Sequence, residues 1–143
     1  MNDRNGSEPF IASVQPAGWA APKGYSNGVV ASGGRTVFVA GQIAWDAEQR
    51  LIGADGDFGA QFRQALANVR AVVEAAGGGP QHLVRLTIYV TDKRAYLADL
   101  KAIGAIYREV LGRHFPAMAL VQVADLLEEG AMVEIEGTAV VPN

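Results

Sequence analysis

HFPAMALVQV, residues 114–123, reads as a turn running into a strand. Pro116 gives the turn signal, and Ala117, Met118, Ala119, Leu120 and Val121 follow it, apolar at odd and even positions alike. Strand side chains alternate between two faces, so a run that does not alternate in polarity is covered on both. Helices can cover one of those faces. The other needs a different surface, and this strand therefore predicts an α+β layer fold whose second sheet face packs on another copy of the chain.

The neighbouring segments fit that frame. Downstream, residues 131–141 set Val133, Ile135, Gly137 and Ala139 against Met132, Glu134, Glu136, Thr138 and Val140, a strand with one inner face, joined to the first through residues 125–130. Upstream, Tyr96, Leu100, Ile103, Tyr107 and Val110 recur at helical spacing, with Thr91 or Asp92 placed to cap the helix and Gly112 to end it. Val84, Leu86, Ile88 and Val90 alternate with Arg85, Thr87 and Tyr89, which predicts a strand with His82 at its entry. Phe58, Phe62, Leu66, Val69, Val73 and Ala76 predict another amphipathic helix, with Gln61, Arg63, Gln64, Asn68 and Arg70 on its other faces. Gly77-Gly78-Gly79-Pro80 stops it. Val29-Val30-Ala31 and residues 36–40 flank Ser32-Gly33-Gly34 and predict a hairpin, with Gly41-Gln42 continuing or bulging its second strand. Residues 10–14 read as a short strand, 19–28 as a loop and 1–9 as a polar leader. The expectation is one domain over residues 1–143, a mixed sheet with two helices packed on one face, with no internal repeat.

Composition narrows the partners. A 143-residue chain that is 50% hydrophobic and 19% charged can bury a substantial core. Its net charge of -3 is spread without a basic block, which argues against nucleic acid as a main partner. No run approaches the length needed to cross a bilayer, so a soluble, cytoplasmic protein without membrane association is expected. There is no cysteine to form a disulfide or act as a thiolate. With only His82 and His114, a histidine metal site is poorly supplied, and no metal or cofactor is expected.

Few side chains suggest chemistry. Glu134 and Glu136 sit two apart on one strand face, where they either hold a water between them or line a solvated edge. Tyr25, in the loop Gly24-Tyr25-Ser26, is either a hydrogen-bonding lid residue or a cover over the core. Arg94 stands at a helix start, where exposure is ordinary. No G-x-S-x-G elbow is present, and the glycine run lacks the Lys-Ser/Thr of a phosphate loop.

Taken together, residues 22–29 (PKGYSNGV), 37–43 (VFVAGQI), 61–68 (QFRQALAN), 84–92, 116–123 and 133–136 (VEIE) resemble the YjgF/RidA family, in order and at family spacing over roughly residues 18–141. The resemblance implies a chorismate-mutase-like α+β fold, a homotrimer with small-molecule ligand sites in the clefts between subunits, and cofactor-free hydrolysis of reactive enamines and imines to keto acids and ammonia. It implies Glu134 as the catalytic, water-orienting glutamate and Tyr25 as the loop tyrosine of the site. The family anchors the substrate carboxylate with the Arg of a Pro-Ala-Arg-Ser/Thr motif. Here that position is Met118, followed by Ala119 and Leu120, and Arg94 stands where the family often has an Asn bordering the cleft.

Methionine neither carries charge nor donates a hydrogen bond. A charged hydrogen bond is worth roughly 1.5–3 kcal/mol, so its loss weakens the binding of small imino acids by about tenfold to a hundredfold. Two readings follow. One is an imine or enamine hydrolase of altered substrate class, its site formed by Glu134 with Tyr25, Met118, Ala119, Leu120 and Arg94. The other is a non-catalytic trimer that binds a metabolite or acts through its surface.

Overall fold

The computed structural model describes residues 6–143, so the first five residues of the polar leader lie outside the described part. Six strands and three α-helices follow in the order β1 (Phe10–Val14), β2 (Gly28–Ser32), β3 (Arg35–Gln42), α1 (Phe58–Ala75), β4 (Leu83–Val90), α2 (Lys93–Leu97), α3 (Leu100–Leu111), β5 (Ala117–Gln122) and β6 (Val133–Val141). A short 3-10 turn, Pro80–His82, leads into β4. The main sheet has strand order β3-β6-β4-β5 and is mixed, with β5 parallel to β4 and both β3 and β4 antiparallel to β6. The fold class is α+β, as the strand at 117–122 predicts.

One sheet face holds the core. Leu83, Leu86, Ile88 and Val90 of β4 and Val133, Ile135, Ala139 and Val141 of β6 are buried with Phe62, Leu66, Val69 and Val73 of α1 and Ile103, Ile106, Tyr107 and Val110 of α3. The two long helices thus share the face that their apolar stripes dictate. Asp57 caps α1 by accepting from the Ala60 N–H at 3.0 Å. Among the described residues, no helix is long and apolar enough to cross a membrane.

Three details differ from the sequence reading. The 29–31/36–40 hairpin does not form: β2 pairs with β1 in a separate two-stranded sheet, while β3 pairs with β6. The Gly33-Gly34 turn passes the chain from one sheet to the other, and Gly34 lies so close to the Val141 carbonyl that a Cβ there would collide with it. The bulge expected at Gly41-Gln42 is present, as a register shift between Val39 and Gln42. The single second helix is two. Asp92 caps α2 through the Arg94 N–H, and the chain restarts at Asp99, whose carboxylate accepts from the Ala102 N–H at 3.0 Å. Gln61, assigned above to an outer helix face, is fully buried: its amide donates to the Gly53 and Gly130 carbonyls and accepts from the Met132 N–H at 2.8 Å. A polar residue on the inner stripe reads as misplaced until these loop partners are known.

His82 stands at the strand entry, as expected, and is buried. Its Nδ1 accepts from the Gly79 N–H, so Nε2 carries the proton and donates to Glu8 at 2.8 Å, tying the end of the leader to the domain.

Candidate functional site

β5 is an edge strand, and the loop before β2 closes over its start. The Ser26 N–H donates to the Pro116 carbonyl at 3.1 Å, Ser26 forms a parallel bridge with Ala117, and the Ser26 hydroxyl donates to the Phe115 carbonyl. Tyr25 is thereby carried to the β5 edge. A hollow of about 260 Å³ opens there, lined by Lys23, Gly24, Tyr25, Tyr96, Met118 and Leu120. Three of the six site residues read from the sequence, Tyr25, Met118 and Leu120, therefore meet in one place. Lys23 is the group that reading missed. Its exposed ammonium makes no side-chain hydrogen bond or ion pair among the described residues, and a lone Lys before a Gly-Tyr loop carries no sequence signal that it faces a cleft.

Ala119 projects to the other side of β5. It is paired in register with Thr87, and it lines a second hollow of about 260 Å³ with Tyr25, Ser26, Asn27, Arg85, Ala117 and Met118. Arg85 also borders a hollow of about 250 Å³ beside Phe38, Thr87 and Glu136 on this outer face.

Glu134 is not with the β5 group. Its register partner is Tyr89, whereas Met118 pairs with Leu86, three residues along β4, so the two side chains leave opposite faces of the sheet. Glu134 lies against the β3 bulge, where a Cβ added to Gly41 would come within 2.5 Å of its Oε1. Glycine is what leaves room for the carboxylate. Glu136 shares this outer face and accepts from the Tyr89 hydroxyl at 2.9 Å, a bond that raises the Tyr89 pKa above its ordinary value. Arg94 lies in the first turn of α2 with 88% of its side chain exposed, next to Asp92 at 3.4 Å, and lines none of these hollows.

The tyrosine rings behind Met118 are neutral. Burial pushes the Tyr96 phenol up, and it pushes Tyr107 up further, so both rings stay protonated at physiological pH. The Tyr107 hydroxyl donates to the His114 carbonyl at 3.2 Å, and its ring stacks on Phe115 with centroids 6.0 Å apart. Among the described residues, no group of three or more His, Cys, Asp or Glu side chains is arranged to hold a metal.

The family profile described as "Endoribonuclease L-PSP" matches residues 17–141. A RutC family protein of Synechocystis is 36% identical over 135 residues, covering 91% of this chain and 96% of its own. A 2-iminobutanoate/2-iminopropanoate deaminase of Salmonella typhimurium is 37% identical over 110 residues, covering 75% of this chain and 80% of its own. Among solved structures, the Rid-family protein YyfB of Yersinia pestis superposes with a TM-score of 0.81 at 34% identity, covering 92% of this chain and 98% of that one. E. coli TdcF with bound serine does so with 0.62 at 32% identity, covering 84% and 90%. The family profile over nearly the whole chain, and relatives of this identity and coverage, show that the chain belongs to the endoribonuclease L-PSP family, the YjgF/RidA proteins.

Proposed function

We propose that this chain is an imine and enamine hydrolase of the deaminase type, with its site assembled between copies of a homotrimer and its carboxylate anchor changed. The observation that carries the reading is the split of the site residues across the sheet. Tyr25, Met118 and Leu120 line one hollow at the β5 edge, while Glu134 stands on the opposite face, held over Gly41. Neither half is complete alone. A second copy laying its Glu134 face against the β5 edge joins them, and the relatives named as iminobutanoate and iminopropanoate deaminases supply the reaction class.

In that assembly Glu134 orients a water whose oxygen attacks the imine carbon. The new C–O bond forms as the C=N pair moves to nitrogen; Glu134 takes a water proton and passes it to that nitrogen, then carries the remaining hydroxyl proton to it as well, so that the C–N bond can break. Ammonia leaves as the C=O bond closes, and the carboxylate is regenerated. The family arginine would hold the substrate carboxylate here, and Met118 cannot. Lys23 is the cation in the same hollow and takes that role, as a point charge without the bidentate fork of an arginine. Arg94, held near Asp92, is the second choice and acts only from a neighbouring copy.

The test is imine hydrolysis itself. Imino acids generated in place by an amino-acid oxidase should yield keto acid faster with this protein than without it, and Glu134→Gln should lower kcat by about a hundredfold or more. Catalysis that survives Glu134→Gln removes the assignment. A trimer that binds keto acids yet accelerates no imine establishes the non-catalytic metabolite-binding reading in its place.

A further inference from the structure

We infer that the hollow at the β5 edge continues into a side-chain pocket, so that this protein selects imino and enamine acids bearing branched or aromatic side chains. The inference rests on the hydrolase reading above and names its substrate class. A cavity of about 200 Å³ lies between α3 and the inner face of β4 and β5, walled by Phe62, Ile88, Tyr96, Ile103, Tyr107 and Met118. It shares Gly24, Tyr96 and Met118 with the hollow that holds Lys23 and Tyr25, so the two meet at the methionine.

The chemistry of the wall defines the guest. Protein interiors seldom leave voids larger than a water molecule, and an apolar void of about 150 Å³ suffices for a benzene-sized molecule. No buried side-chain nitrogen or oxygen among the described residues lacks a hydrogen-bond partner, and the one charged group in this wall, Arg108, is exposed at its α3 rim. Lys23 supplies positive charge at the outer end. A carboxylate joined to an apolar group fits both ends: acid at Lys23, hydrocarbon past Met118.

Two features hold the passage open. Gly104 lies inside α3 with no positive φ to explain it, and glycine in a helix interior is less stable than alanine. A Cβ there would meet only the Arg108 guanidinium, at 3.4 Å, so the space beside Gly104 at the cavity wall is otherwise open. Met118 is the other. An arginine at the junction would put charge against Phe62 and Tyr96, whereas methionine is flexible, apolar and well matched to aromatic neighbours. One substitution thus removes the usual anchor and makes the passage apolar.

The experiment compares substrates of different size. Binding of pyruvate, phenylpyruvate and the keto acid of leucine is measured by calorimetry, and hydrolysis of the matching imines by keto-acid release. The larger pair should bind more tightly, and their imines should show kcat/KM higher by about tenfold or more, as expected when methylenes enter an apolar pocket. Gly104→Leu, which fills the cavity, should reduce that ratio about tenfold. Leu100→Trp, at a half-exposed position of the same wall, should do so where Gly104→Leu fails to fold. Hydrolysis without size preference, or a ratio that neither variant moves, overturns the pocket and leaves the hydrolase intact. Size-selective keto-acid binding that depends on Gly104 but comes without hydrolysis of any imine keeps the pocket and removes the hydrolase reading.

Discussion

Met118 and Gly41 concentrate the argument at the scale of single residues. Met118 is half-buried, with Phe62, Tyr96, Ile103 and Tyr107 on one side and Lys23 and Tyr25 on the other. Met118→Arg restores the family's carboxylate fork but sets a guanidinium among aromatic rings. The variant should lose about 1–3 kcal/mol of stability, read as a lower denaturation midpoint, and gain hydrolysis of small imino acids that depends on Glu134. A variant that folds and binds pyruvate but hydrolyses nothing would show that more than the anchor is missing. Gly41 offers a cleaner probe of Glu134. Gly41→Ala places a methyl where the Glu134 carboxylate now lies, so kcat should fall at least about tenfold while the denaturation midpoint stays near that of the unchanged protein. An undiminished kcat would mean that the position of Glu134 over Gly41 has no part in the reaction.

At the scale of elements, the α2–α3 break places the wall of the site. A continuous helix would carry Tyr96 and Ile103 on one straight axis; the restart at Asp99 lets α2 begin at the end of β5, where the Lys93 N–H donates to the Gln122 side chain at 2.9 Å, while α3 packs on the sheet. The restart depends on a side-chain cap, because the first N–H groups of α3 have no helical partners. Asp99→Ala removes the acceptor of the Ala102 N–H and should cost about 1 kcal/mol, measured from the urea midpoint at constant m-value. No change would indicate that packing of Ile103 and Ile106, rather than the cap, fixes the start of α3. The break was half legible in the sequence. Both Asp92 and Asp99 are good caps, but the apolar spacing of Tyr96, Leu100 and Ile103 continues across Ala98 and masks it.

At the scale of the molecule, the outer sheet face exposes large apolar side chains. Phe38 is 80% exposed and Val121 43%, and Ala119, Thr87 and Arg85 lie between them. Exposed large apolar side chains on both edge strands of one sheet face signal an interface, and cyclic closure buries equivalent copies together. Light scattering should return three times the chain mass, and Phe38→Lys should shift the protein toward monomer and abolish hydrolysis, since Tyr25 and Glu134 would no longer meet. A wild-type monomer at micromolar concentration with full activity would sink both the trimer and the shared site.

The fold class, the two long helices and all six strands were legible in local pattern, because period and turn chemistry are properties of neighbouring residues. The family was legible too, from motifs spread along the chain. Local pattern could not assign strand partners: residues 29–31 and 36–40 read as a hairpin, yet one joins β1 and the other β6, because the space beside Val141 and the core beneath β6 lie far away in sequence. Likewise, alternation put Glu134 and Glu136 on one face but could not show that Met118 leaves the opposite face two strands away. Lys23 and Arg85 lay inside recognised stretches, yet nothing there, or at Gly104, announced what these residues face. Their meaning is a matter of distance, and only the folded chain brings a loop lysine, a helix glycine and an edge-strand methionine around one connected space.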